Sequence, residues 1–155
     1  MSLAADDRGV VDACPACRQA NRLPFDALGR PAKCGRCGQE LLAPGVPVEI
    51  PSEASFEALV SRSPIPVVVD WWAPWCGPCR MVAPEMEKVA AARRGRWLVA
   101  KVNTEDLPEL GARAGVQAVP TLAVYAGGRE RARDAGARPA AQIEQFVEEA
   151  LAAPG

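Results

Sequence analysis

The chain has 155 residues, 49% of them hydrophobic, and a formal net charge of -1. That apolar content excludes intrinsic disorder and suits one ordinary domain with a small appendage, while the neutral balance excludes charge-driven capture of a polyanion. Histidine is absent, so every Cys-His or Ser-His mechanism and every zinc site with a histidine ligand is excluded as well.

The opening stretch MSLAADDRGVVDAC has no apolar run behind a basic end, and no segment approaches the roughly 20 apolar residues of a membrane span. The expected compartment is the cytoplasm, with no membrane partner. Thiols there are kept reduced, so paired cysteines point to metal ligation or redox catalysis before structural bridges.

Four of the six cysteines come next. Cys14, Cys17, Cys34 and Cys37 have the form C-x2-C-x16-C-x2-C, within the spacing of a tetrahedral zinc site with four cysteine ligands. Two intervening residues let both thiolates of a pair reach one ion, and Gly35 and Gly38 permit tight turns whose N–H groups point at sulfur. Residues 14 to 40 hold few apolar residues and cannot build a core alone, so Zn²⁺ is expected as a structural clamp. A pair of disulfides is the alternative. Arg18, Arg22, Arg30, Lys33 and Arg36 surround the site against Asp26 and offset the roughly -2 that four thiolates leave on Zn²⁺. Nucleic acid is therefore not an expected partner.

The segment APGVPVEIP, punctuated by Pro44, Gly45, Pro47 and Pro51, predicts a boundary, giving an N-terminal ribbon and tail over 1–43 and a second domain over 44–155. Val46 to Ile50 reads as a short edge strand. Ser52 suits the N-cap of a helix with Phe56, Leu59 and Val60 on one face. PVVVDWW at 66–72 reads as a strand covered on both faces, followed by a helix from about Cys76 to Arg94. WLVAKVN at 97–103 predicts a second buried strand, DLPELGAR a short helix, and TLAVYAGGRERARDAG a hairpin around Gly127 and Gly128. Arg129, Arg131 and Arg133 alternate along its last strand and read as a solvated face. Pro139 to Ala152 closes the chain as an amphipathic helix. The fold class is α/β, a mixed central sheet flanked by helices and preceded by a small four-cysteine ribbon.

The remaining cysteines stand in WCGPC, between a buried strand and a helix. A cysteine at a helix N-terminus faces unpaired N–H groups and the positive end of the dipole, so Cys76 is expected to be an exposed thiolate with a depressed pKa. Pro78 suits the first helical turn and stiffens the loop. Cys79, one turn further in, is expected to remain a buried thiol, which makes the pair a nucleophile with a resolving partner. Asp70 interrupts an otherwise apolar strand; burial raises its pKa and makes it a proton acceptor for Cys79 through water, unless it faces solvent on an edge strand.

VVVDWWAPWCGPCR, then AVPTLAVYAGG and AGARP, resemble the active-site strand, helix and later segments of the thioredoxins. With the ribbon and NRLP at 21–24, the likeness is to the zinc-binding bacterial thioredoxin 2 type and covers nearly the whole chain. The resemblance implies a thioredoxin fold and protein-disulfide reduction by thiol–disulfide exchange, with electrons from NADPH through thioredoxin reductase and disulfide-containing proteins as substrates. It implies a cis peptide at Pro120, a lysine role for Lys101 near Asp70 (a solvated surface lysine is the alternative), and a close approach to substrate at Gly136. Trp75, Gly77, Pro78, Val119 and Pro120 would form the docking surface for extended segments. An oxidant or isomerase of the same fold is the nearest rival, and a zinc-dependent binding or holdase module that uses this domain only for docking is a second.

Overall fold

The buried run Val67–Trp72 forms β7, the strand around which the molecule is arranged. The computed structural model describes residues 2–154. In chain order the elements are β1 (Leu3–Ala5), β2 (Gly9–Ala13), β3 (Ala20–Pro24), β4 (Ala32–Lys33), β5 (Glu40–Leu41), β6 (Val48–Glu49), α1 (Glu53–Arg62) and β7. After these come α2 (Gly77–Ala92), β8 (Leu98–Asn103), α3 (Pro108–Arg113), β9 (Thr121–Ala126), β10 (Arg129–Ala135) and α4 (Ala140–Ala152). One sheet runs β10-β9-β7-β8-β6-β1-β2-β3, and β4 pairs with β5 separately.

The helices form where their local chemistry predicts. Ser52 caps α1: its hydroxyl accepts from the Ser55 N–H, and the Ser55 hydroxyl accepts from the Ser52 N–H, both at 3.1 Å. β7 shows why a doubly covered strand reads as a continuous apolar run. Val67, Val69 and Trp71 pack with Phe56 and Leu59 of α1 and Leu110 of α3. Val68 turns the other way, against Val82, Met86 and Val89 of α2 and Ile143 and Val147 of α4. Asp70 shares the parity of Val68, so the strand aims it toward α2.

Two expectations are corrected. Val48–Glu49 is not an edge strand: β8 pairs with it on one side and β1 on the other, both parallel. The segment before residue 43 also does not rely on metal alone, because its few apolar residues enter the main core. Val10, Leu23, Phe25 and Leu28 are buried in one cluster with Phe56 and Leu59, and a 3-10 turn at Phe25–Ala27 lies against α1. Sequence periodicity missed this because the strands are short and their apolar partners lie far along the chain. Two side-chain bonds reinforce the join: Asp7 accepts from the Ser52 hydroxyl at 3.3 Å, and Arg94 donates to the Ala43 carbonyl at 2.6 Å.

Candidate functional site

β7 ends at Trp72, and Ala73–Trp75 turn the chain so that Cys76 becomes the N-cap of α2. Cys76 and Cys79 are joined by a disulfide. The Cys79 N–H donates to Cys76 Sγ at 3.1 Å, the contact through which the helix N-terminus would hold negative charge on that sulfur once the bond is reduced. Pro78 occupies the first turn, where its missing N–H leaves nothing unsatisfied, and Pro84 lies inside the continuous helix further along. The sequence predicts an exposed Cys76; in the disulfide form both sulfurs belong to buried residues, Cys76 only 3% exposed, packed with Ala73, Trp72 and Val119. Exposure falls instead on Trp75, 70% accessible, and on Gly77 and Pro78.

Across from the disulfide, the Val119–Pro120 peptide is cis, and the Val119 carbonyl oxygen lies 3.6 Å from Cys76 Sγ. Gly136 adopts φ +102, a conformation that favours glycine, and its N–H donates to the Pro120 carbonyl at 2.9 Å. Val119, of the residues proposed for substrate docking from the sequence, therefore lies against Cys76, and Gly136 fastens the proline loop. Met81 of α2 is also 71% exposed, and sequence does not single it out, because an exposed methionine in a helix carries no local signal.

Beneath the site, Asp70 is 3% exposed and has no hydrogen-bond partner among the described residues. Burial pushes its carboxyl up to about 7, against the opposing attraction of Lys101. Asp70 and Lys101 are register partners on β7 and β8, while the lysine ammonium also sits 4.7 Å from the Trp72 ring centre. Asp70, Cys79, Arg80 and Lys101 line a common cavity of about 220 Å³, enough space for water between carboxyl and sulfur. Arg80 braces the rim by donating to the Pro74 carbonyl at 3.0 Å.

The other four cysteines sit in two similar hairpins. Cys14 and Cys17 lie between β2 and β3, Cys34 and Cys37 between β4 and β5, with their sulfurs all within 4.8 Å of one another. Cys14 lies 3.6 Å from Cys37 and Cys17 the same distance from Cys34, close to the edge of about 3.8 Å that four bonds of 2.3 Å make around a tetrahedral ion. These separations are far beyond a disulfide bond of about 2 Å. Backbone N–H groups of Ala16 and Arg36 reach Cys14 and Cys34 at 3.4 Å. The N–H groups of Cys37 and Arg36 and the Asn21 amide hold the Cys34 thiol down at about 6, while Cys17, despite the Gln19 amide, is pushed up to about 12 by burial and the neighbouring sulfurs. Sulfurs this crowded cannot all ionise unless a cation lies among them, so the donor set fits a thiophilic divalent ion.

Gly38 takes the left-handed turn at φ +76 as its spacing predicts, but Gly35 does not; the matching place in the first hairpin belongs to Arg18, φ +66. Gly35 instead donates to Asn21 Oδ1 at 3.0 Å, and Asn21 Nδ2 reaches Cys34 Sγ at 3.4 Å. Sequence reasoning missed Asn21, a polar residue on a strand 13 positions from the sulfur it supports. This centre lies four strands away from β7, about 19 Å at 4.8 Å per strand, and toward the opposite end of the parallel strands from Cys76.

Comparison with known proteins agrees with both halves. The family model described as Thioredoxin matches residues 47–149, and that described as Thioredoxin 2, N-terminal, matches residues 13–39. The chain is 37% identical over 143 residues to thioredoxin C-3 of Corynebacterium nephridii, covering 92% of this chain and 96% of that one. It is 40% identical over 100 residues to thioredoxin 1 of a Nostoc species, covering 64% and 94%. Among solved structures, a mutant thioredoxin from Halobacterium salinarum superimposes with a TM-score of 0.65 at 26% identity, over 73% of this chain and 97% of that one. With its zinc ribbon-like cysteine cluster at the N-terminus and a disulfide at the mouth of α2, the chain belongs to the thioredoxin family, the thiol–disulfide oxidoreductases, and to its thioredoxin 2 type.

Proposed function

We propose that the protein is a cytoplasmic protein-disulfide reductase working through the Cys76–Cys79 dithiol. The observation that carries this is the seat of Cys76 at the N-cap of α2, with the Cys79 amide 3.1 Å from its sulfur and no histidine in the chain to serve instead. In the reduced protein this amide and the helix dipole favour thiolate at Cys76. The thiolate attacks one sulfur of a substrate disulfide and expels the other, forming a mixed disulfide. Asp70 accepts the Cys79 proton through water in the shared cavity. Cys79 then attacks Cys76 Sγ, releases the substrate as a dithiol and leaves the bridge seen here. A flavoprotein thioredoxin reductase using NADPH restores the dithiol.

Trp75, Gly77, Pro78, Val119, Pro120 and Gly136 form the docking surface, where the exposed backbone beside Val119 takes an extended substrate segment. Cys14, Cys17, Cys34 and Cys37 hold Zn²⁺, which supplies folding free energy to the N-terminal hairpins and takes no part in the exchange. Residues 1–43 are the ribbon and tail, 44–155 the catalytic domain. Reductase-coupled NADPH consumption with insulin tests the reading: the wild type turns over and Cys76→Ser does not. Persistent turnover in Cys76→Ser overturns it, and partner binding that survives loss of both active-site cysteines but not chelation favours a docking module instead.

A further inference from the structure

The arginines of β10, which read as a solvated stripe, do more than meet water at one position. In a regular strand, residues three apart face opposite sides, but β10 shifts register against β9 between Glu130 and Ala132. The shift brings Glu130 and Arg133 onto one face, where Arg133 Nε and Nη2 each meet a Glu130 carboxylate oxygen at 2.7 Å. Tyr125, the register partner of Glu130, donates its hydroxyl to the same carboxylate at 3.3 Å. The guanidinium so braced turns its remaining N–H groups to the end of α3: Nη1 donates to the Gly115 carbonyl at 3.0 Å and Nη2 to the Ala114 carbonyl.

Those two carbonyls begin the segment that crosses from α3 to the cis peptide beside Cys76. Burial does little to hold it, since Gly115, Gln117 and Ala118 are exposed. Bonds must do so instead. The Val116 N–H reaches back to Gly111 at 2.9 Å, the Thr121 hydroxyl donates to the Ala118 carbonyl at 2.6 Å, and Gly136 holds the Pro120 carbonyl. Arg133 is the anchor at the α3 end, satisfying carbonyls that a helix terminus leaves unpaired with a cation suited to the negative end of the dipole. It touches neither sulfur, and nothing it contacts is part of the disulfide.

We propose that Arg133 is a positioning residue for disulfide-containing protein substrates: by holding the Ala114 and Gly115 carbonyls it sets the line along which residues 116–119 offer backbone groups to an extended chain. The inference rests on the reductase reading above. It predicts a split between substrates. A protein disulfide must pair with the loop before its sulfur meets Cys76, whereas a small aromatic disulfide needs only the sulfur.

The test compares Arg133→Ala and Arg133→Lys with the wild type, each kept reduced in turnover by NADPH and thioredoxin reductase, using insulin and 5,5′-dithiobis(2-nitrobenzoic acid). Arg133→Ala is expected to raise KM for insulin about tenfold, the equivalent of one charge-assisted hydrogen bond, with less than a twofold change in kcat. Rates with the small disulfide should change less than twofold, and lysine, which keeps the charge but loses the fork, should restore part of the affinity. Amide exchange read by NMR should accelerate at 115–118 and not in β7 or β8. An unchanged KM for insulin, equal losses on both substrates, or exchange accelerated throughout the chain overturns the proposal. If the wild type itself fails to reduce insulin, the reductase reading falls, while the exchange measurement still decides whether Arg133 holds the loop.

Discussion

Asp70 and Lys101 stand opposite each other in the β7–β8 ladder, yet burial of the carboxyl outweighs the attraction of the lysine and leaves Asp70 titrating at about 7. A group raised in the folded chain from 3.8 to about 7 contributes its stabilising effect fully below pH 3.8 and loses it as pH rises through 7. At pH 8 the ionised carboxylate weakens the fold by an amount on the order of 4 kcal/mol.

Asp70→Asn is accordingly expected to unfold at higher denaturant concentration than the wild type at pH 8 and at nearly the same concentration at pH 4. Urea titrations at the two pH values check this. On the proposed mechanism the same variant should slow release of substrate from the mixed disulfide, because Cys79 would lose its proton acceptor, while the first attack by Cys76 keeps its rate in stopped-flow measurements.

Cys79→Ser leaves the attacking sulfur and its helix N-terminus in place but removes the resolving thiol. Covalent adducts with disulfide substrates should accumulate and be visible by mass spectrometry without reductant. Cys76→Ser should form none, and its coupled NADPH consumption should fall to the no-protein baseline.

Cys34→Ser removes one of the four clustered sulfurs, leaving three that do not complete a tetrahedral site. Elemental analysis should find one zinc per chain in the wild type and little in the variant. Its melting temperature should fall, with the earliest loss of exchange protection in β2 and β3. The potential of the Cys76–Cys79 couple should shift by less than about 15 mV, about a threefold change in its equilibrium constant, because the two sites lie four strands apart.

Phe25 is 1% exposed and belongs to the same apolar cluster as Phe56 and Leu59. Phe25→Ala should cost about 3–5 kcal/mol. If the N-terminal strands and the rest share one core, the loss appears as a single shifted transition in calorimetry. Two separate transitions would show that the segments before and after residue 43 unfold independently.

Much of this protein was written in its local chemistry. WCGPC between an apolar strand and a helix start, the two spaced cysteine pairs, the Ser52 cap and the doubly covered β7 all depend on neighbours a few residues away, where spacing and periodicity report directly. What tertiary structure alone decided depends on partners distant in the chain: Val48–Glu49 sits inside the sheet because β1 arrives from residues 3–5, and Phe25 is core because α1 lies beneath it. Asn21 supports Cys34, and Arg133 reaches Ala114 only because a register shift turns it toward α3. Residue types and spacing along the chain determined which sulfurs could react or ligate. Long-range packing, which no local periodicity encodes, decided what surrounds them, and it is these surroundings that set burial, charge and access.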